Sequence, residues 1–314
     1  MTLPMSDIFP MFSQKRRSIN APPVEVGDGE LAILRAVHRY RLLEWRQLQD
    51  LFATSVADTK HLAERVELLY RNGYVEEVPR PLYPAEMERG KVYRLGVAGA
   101  QFLAGQLSLP FKDYLYWGKG DDKDNRKTHV SSLFLNHTIA LVDIRIAFES
   151  AAAQNDCTFE VWQDETDLQR GRNWPRVPIE TTTGHQEVVP ILPDTHFVLV
   201  SPQGRSHFFI EADRSTESIA RRWQRKILGY KAFVVSGEFN KRYGIQSSAI
   251  PLRILTTTTS LARSHNLKAA AEMYGSAEAT PLFLFTPLSE LLAHDALSAP
   301  IWLRAGSTGF QRIL

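Results

Sequence analysis

The alternation of apolar and polar positions divides the chain into a helical first part and a mixed second part. From residue 29 onward, Leu31, Leu34, Val37 and His38 or Arg41 follow a helical period. A second helix over 44–52 would pack Trp45, Leu48 and Leu51. A third is expected after an N-cap at Thr54 or Ser55, with Leu62, Val66 and Leu69 buried and Asn72-Gly73 as its stop. Strand-like pieces at 74–78 and 91–95 flank a loop stiffened by Pro79, Pro81 and Pro84, and 99–107 reads as a closing helix. Beyond a linker at 110–128, residues 129–154 form one long helix and 159–162 a strand. Residues 164–185, polar and interrupted by Pro and Gly, are expected to form a loop or insertion. A helix over 216–233, a strand over 252–257, a helix over 260–274, a strand over 281–285 and a helix over 288–295 complete the pattern, with Trp302 packed near the end. The order predicts an α+β chain whose second part is α/β with a mixed sheet.

Between the long helix and the last strands lies ILPDTHFVLVSPQGRSHFFIEADR, residues 191–214. Two apolar runs flank Ser201-Pro202-Gln203-Gly204, whose Pro and Gly suit a type I turn, so a β-hairpin is expected. Alternation puts Phe208, Ile210 and Ala212 on one face, and Phe209, Glu211 and Asp213 on the other. Asp194, at the start of the partner strand, is placed to join the two acids. Converging carboxylates repel unless a cation, a basic side chain or a proton offsets them, and oxygen ligands suit Mg²⁺ or Mn²⁺. The plainer alternative is a solvated acidic hairpin end beside a basic helix.

Composition narrows the partners. The 314 residues point to two domains, and 44% hydrophobic with 23% charged residues describes a globular chain. A net charge of +2 means that any nucleic-acid affinity comes from local patches. One cysteine, Cys157, excludes an internal disulfide and a thiolate zinc cluster. No run nears the ~18 apolar residues of a membrane span, and the first residues lack a signal-peptide order, so a cytoplasmic protein without membrane contact is expected. Residues 1–28, with Lys15-Arg16-Arg17, read as a flexible arm. The nine histidines are scattered; His185, His196 and His207 can approach the hairpin, each read first as an ordinary hydrogen-bonded side chain. No HExxH, P-loop or GxGxxG pattern occurs.

The phrase LLYRNGYVEEV … KVYRLGVAGAQFLA resembles the end of a winged helix-turn-helix, here residues 29–109. That resemblance implies a third helix entering a major groove of double-stranded DNA, with Asp58, Thr59, Lys60 and His61 at its leading end. Arg65 and Arg71 would be base or phosphate contacts, and Arg80, Arg89, Lys91 and Arg94 would lie on or near the wing. Use of the same fold for protein contacts or a homodimer stays open. Pro193-Asp194 … Glu211-x-Asp213 resembles the PD-(D/E)XK nuclease-like superfamily, placing a restriction-endonuclease-like domain at 129–314. There, the Asp and Glu hold a divalent metal, here Asp194 and Glu211 with Mg²⁺ or Mn²⁺, and a lysine stands two residues beyond the Glu. That position is Asp213 in this chain. Some branches carry the lysine on the following helix, which makes Lys226 or Arg222 the substitute. Together with HFFIEADRSTES … KILGYKAF and RILTTTTSLARSHNLKAAAE, these phrases resemble the replication-relaxation family. The resemblance implies DNA binding in plasmid or mobile-element replication, mobilisation or related control, with a nuclease-like second domain either retired from catalysis or using a displaced lysine, and with replication or mobilisation proteins as further partners. Two alternatives remain: an active Mg-dependent DNA endonuclease, and a repressor whose second domain dimerises or senses a ligand.

Overall fold

The computed structural model describes residues 22–79, 90–107, 132–164, 167–168, 174–181, 184–215, 218–246 and 251–314. The chain divides into two compact units, 1–139 and 140–314. Among the described residues, no helix is long and apolar enough to cross a membrane.

In the first unit, α1 (Asp28–Tyr40) buries Ile33, Leu34, Val37 and Tyr40, and Asp28 and Glu30 in its first turn complement the helix dipole. Strand β1 (Leu42–Glu44) leads directly into α2 (Trp45–Phe52), where the Glu44 amide donates to Gln47 Oε1 at 2.8 Å. The expected helix at 44–52 is thus one residue shorter, and its first residue belongs to a strand. Ser55 caps α3 (Val56–Arg71) by accepting from the Asp58 amide, and Leu62, Val66 and Leu69 form its buried stripe. The helix stops at Asn72, and Gly73 continues at φ 74°, a conformation that favours glycine. Strands β2 (Val75–Glu77) and β3 (Val92–Leu95) complete an antiparallel sheet of order β1-β3-β2, and α4 (Val97–Leu107) follows. A Cβ on Gly99 would lie 2.2 Å from the Tyr74 carbonyl oxygen, so only glycine lets α4 approach this closely.

Helix α5 (Ser132–Gln154) carries Ile144, Phe148, Ala151 and Ala152 into the second unit's core. The strands there are β4 (Thr158–Asp164), β5 (Arg176–Glu180), β6 (Gln186–Pro190), β7 (Thr195–Ser201), β8 (Gly204–Ala212), β9 (Leu252–Thr258), β10 (Phe283–Pro287), β11 (Trp302–Arg304) and β12 (Phe310–Gln311). A mixed seven-stranded sheet runs β12-β11-β10-β9-β8-β7-β4, with β8, β9 and β10 mutually parallel and the other pairs antiparallel. Its helices are α6 (Gln224–Val235), α7 (Glu238–Tyr243), α8 (Leu261–Tyr274) and α9 (Leu288–Ala293).

Two cores sit on opposite faces of this sheet. Phe209, Ile254, Phe283 and Phe285 pack with Ile227, Tyr230 and Phe233 of α6 and Leu267 of α8. Phe208, Ile210, Leu255 and Leu284 pack with Phe148 of α5 and Leu291 of α9. Each such fully buried Phe or Leu contributes about 1.5–3 kcal/mol. Strand β8 therefore alternates as its sequence predicts, sending Phe209 to one core and its neighbours to the other.

Residues 164–185 are not only a loop. Within them lies β5, paired with β6, and Val177 and Ile179 enter the α6 core. Charged Arg176 and Glu180 and the intervening Pro178 mask that alternation in the sequence. The expected helix at 216–233 opens instead as a π-helical turn, Ile219–Trp223, and runs on to Val235. The short elements α7, β11 and β12 had no sequence counterpart. Trp302, expected near the end, is fully buried in β11.

Candidate functional site

The parallel strands β8 and β9 end together, and the acidic positions gather at that end. Glu211 lies beside Thr256 in register and is almost wholly buried, its side chain 2% exposed. Tyr230 donates its hydroxyl to Glu211 Oε1 at 2.6 Å, and Lys226 Nζ lies 2.8 Å from Oε2. Burial pushes the Glu211 carboxyl up to about 7; Lys226 opposes that rise, while Asp194 adds to it. Asp194 sits immediately before β7. Its amide donates to the Ile210 carbonyl at 3.0 Å, and its Oδ2 accepts from the Ala212 amide at 2.8 Å.

Asp213 shares the side of Glu211 but has different partners. Arg263, from the first turn of α8, grips it with Nε at 2.7 Å from Oδ2 and Nη2 at 3.1 Å from Oδ1. The Trp223 indole donates to Oδ1 at 3.1 Å. Asp213 therefore does not stand as a free third ligand. Among the described residues, no group of three or more His, Cys, Asp or Glu side chains could hold a metal ion. Asp194 is close enough to push the Glu211 carboxyl up, and two carboxylates would suffice for Mg²⁺, which keeps several waters. Among the described residues, the hydroxyl of Thr256, fully buried and in register with Glu211, finds no hydrogen-bond partner.

Trp223, Lys226 and Tyr230 come from one stretch of helix. At about 100° per residue they span an arc of roughly 60°, so one stripe serves both Glu211 and Asp213. Lys226 also lies over the Trp223 ring, 5.0 Å from its centre. Of the basic residues expected here, Lys226 pairs with Glu211, and Arg222 is exposed on the π-helical turn one helical turn earlier. Tyr230, Trp223 and Arg263 were not singled out from sequence. The spacing W-x-x-K-x-x-x-Y inside the expected helix was the available signal for the first two.

A family model described as Replication-relaxation matches residues 34–248, more than half of the chain. The chain belongs to the replication-relaxation family. Membership suggests a role in plasmid or mobile-element replication or mobilisation. The matched span contains Asp194, Glu211, Asp213, Trp223, Lys226 and Tyr230, and ends before Thr256 and Arg263. No curated protein and no solved structure matched the chain.

In the first unit of this replication-relaxation family member, α3 presents Lys60 and His61 at the surface near its N-terminal end. Thr59 bonds back to the Ser55 carbonyl, and Asp58 accepts from the amide and hydroxyl of Thr54, just before the cap. Arg65 pairs with Glu30, Arg71 with Glu67, His61 with Glu64, Lys91 with Glu77 and Arg94 with Glu76. Arg80 and Arg89 lie outside the described residues, as do the arm's first 21 residues and the linker at 110–128.

The histidines serve another purpose than the acids. His196 Nε2 and His207 Nδ1 are 3.1 Å apart, and Gln163 Oε1 is 3.1 Å from His196 Nδ1. Because Gln163 Oε1 can only accept, His196 carries its proton on Nδ1 and His207 donates to its Nε2. His196 is then neutral, and so is His207, whose Nε2 faces the donating Arg205 guanidinium at 3.4 Å. Burial holds them so, lowering His196 to about 3 and His207 to about 4. His207 is four residues from Glu211 along β8, a separation of roughly 13 Å. His185 is exposed.

Proposed function

We propose that the chain binds duplex DNA in the replication, mobilisation or related control of a plasmid or other mobile element. In this reading its second unit is a PD-(D/E)XK nuclease-like domain in which Lys226 replaces the usual strand lysine. The observation that carries it is the 2.8 Å approach of Lys226 Nζ to Glu211 Oε2; an ammonium remote from the acids would have argued against it. Asp194 and Glu211 would hold Mg²⁺ or Mn²⁺, with the Thr256 hydroxyl adjacent. Such an ion, when bound, polarises a phosphate oxygen and acidifies water. Lys226 would stabilise charge developing on the attacked phosphate, and Arg222 would meet the neighbouring backbone.

The first unit would act as a winged helix-turn-helix. Lys60 and His61 would lead α3 into the groove, Thr59, Arg65 and Arg71 would assist, and Lys91 would stand on the wing with Arg80 and Arg89. The acidic partners of these basic residues are not an obstacle. Exposed ion pairs contribute only about 0–1 kcal/mol each, so phosphate can replace a carboxylate. A second reading, a site retired from catalysis, is favoured by Asp213, whose oxygens are engaged by Arg263 and Trp223.

Cleavage of supercoiled, linear and single-stranded DNA with Mg²⁺ and Mn²⁺ separates the two. Metal-dependent cleavage, lost in Glu211→Gln and slowed in Lys226→Ala with binding retained, is expected. Binding without cleavage on any substrate would leave the retired form. Reversing Arg89 and Lys91 to Glu should lower the salt slope of binding by about one unit per lost phosphate contact. No duplex binding by the full chain would sink the reading altogether.

A further inference from the structure

We propose that Asp213 and Trp223 are positioning residues: Asp213 anchors the Trp223 indole, and the indole ring holds the Lys226 ammonium against Glu211. This rests on the reading of Lys226 as the displaced lysine.

The connections are continuous. Asp213 Oδ1 accepts from Trp223 Nε1 at 3.1 Å, the Trp223 ring centre lies 5.0 Å from Lys226 Nζ, and Nζ lies 2.8 Å from Glu211 Oε2. Trp223 is fully buried, so its ring is a fixed surface, whereas the lysine stem has four rotatable bonds and needs one. The chain also prepares this orientation. Trp223 ends the π-helical turn, its amide donating to the Ser218 carbonyl at 3.2 Å. From Trp223 onward the helix is regular, so α-helical spacing keeps Trp223, Lys226 and Tyr230 on one stripe.

The same geometry accounts for an acid at the strand position where a lysine is usual. A free carboxylate two residues from Glu211 would compete for the Lys226 ammonium. Asp213 does not, because Arg263 holds both of its oxygens in a side-on pair, the guanidinium side chain being 15% exposed. What remains for Asp213 is to fix the indole. Moving the lysine to the helix and placing an acid on the strand are thus two halves of one arrangement.

The test uses the full chain with ¹³C-labelled lysine and follows the Lys226 ε-methylene signal by NMR, assigned through its loss in Lys226→Arg. An upfield ring-current displacement is expected in the unaltered protein. It should vanish in Trp223→Leu and shrink in Trp223→Phe, which keeps a ring but has no N–H for Asp213. An undisplaced signal in the unaltered protein would overturn the proposal, as would a displacement that survives in folded Trp223→Leu. Should Trp223→Leu not fold, Trp223→Phe decides, and an unchanged displacement there counts against the Asp213 anchor. Nicking of supercoiled DNA with Mn²⁺ supplies the functional readout: Trp223→Phe should lower kcat about tenfold with KM held within about twofold. Absence of nicking by the unaltered protein would defeat the cleavage reading alone, since the lysine signal still decides whether Trp223 positions Lys226.

Discussion

Replacing Glu211 with Gln should make the protein more stable at alkaline pH, not less. Glutamine keeps the shape and can still accept the Tyr230 hydroxyl, but it removes a buried charge. The Glu211 carboxyl stands at about 7 in the folded chain against 4.5 when free, chiefly because burial penalises its charged form. A folded-state pKa above the unfolded one means that the native state binds the proton more tightly. The associated stability is fully present below pH 4.5 and is lost as pH rises through about 7. The gap corresponds to about 3 kcal/mol at pH 8, with the attraction of Lys226 already included.

The Gln variant behaves like the protonated form at every pH. Its stability should therefore exceed that of the unaltered protein by up to about 3 kcal/mol at pH 8 and match it near pH 4. For a unit of this size the upper value raises Tm by roughly 5–10 °C. The Lys226 ammonium, whose side chain is 32% exposed, can turn toward water and offsets little of this gain. Paired urea titrations of both proteins at several pH values measure the difference directly. A Gln variant less stable by the same amount at pH 5 and pH 8 would refute the reasoning and show that Glu211 serves the fold. A stabilised variant is the signature of a carboxylate kept at a cost in stability, as functional groups often are.

The histidine pair should act in the opposite direction. His207 is lowered from 6.5 to about 4, so the unfolded chain takes up the proton first and stability falls as pH drops below 6.5. The loss for this ring alone approaches roughly 3 kcal/mol near pH 4, and His207→Asn should flatten the dependence of stability on pH between those values. An identical slope in the variant would count against it. Asp213→Ala leaves the largely buried Arg263 guanidinium without its carboxylate and should cost about 3–5 kcal/mol in denaturant melts. Adding Arg263→Met to that variant should recover part of the loss, and strict additivity of the two changes would speak against a coupled pair.

Those elements that repeat a period long enough to count were legible in the sequence. Leu62, Val66 and Leu69 on α3 span two turns, and the strand ending in Glu211 alternates across Phe208, Phe209 and Ile210. Strand β1 has three residues, all buried, and so shows no alternation. Strand β5 alternates Val177 and Ile179 with Arg176, Pro178 and Glu180, a pattern that composition reads as loop. The acids of the site were legible because they lie on one hairpin. Their partners were not, because Tyr230, Trp223 and Arg263 arrive from two later helices. How those helices settle against β8 depends on parallel crossovers, a tertiary arrangement that local periodicity does not encode.

If the chain binds DNA as proposed, charge at the strand end should couple that binding to a metal ion. Asp213 and Arg263 cancel each other, which leaves Asp194, Glu211 and Lys226 with a net charge of about −1 when all three are ionised. A phosphate approaching these three groups would be repelled, and a bound divalent cation would reverse their net sign. Metal and DNA should therefore bind cooperatively, and the dependence should run through Glu211. In a chelating buffer, Glu211→Gln removes one negative charge without the metal. At roughly 6 Å and an intermediate dielectric, screened by salt, the relief is about 1 kcal/mol, or about fivefold in affinity. The variant should thus bind duplex DNA more tightly than the unaltered protein in chelator, and Mg²⁺ should narrow or invert the difference. Fluorescence anisotropy with a labelled duplex reads both arms. Equal affinities in chelator would place the bound phosphates away from Glu211 and leave DNA contact to the first unit.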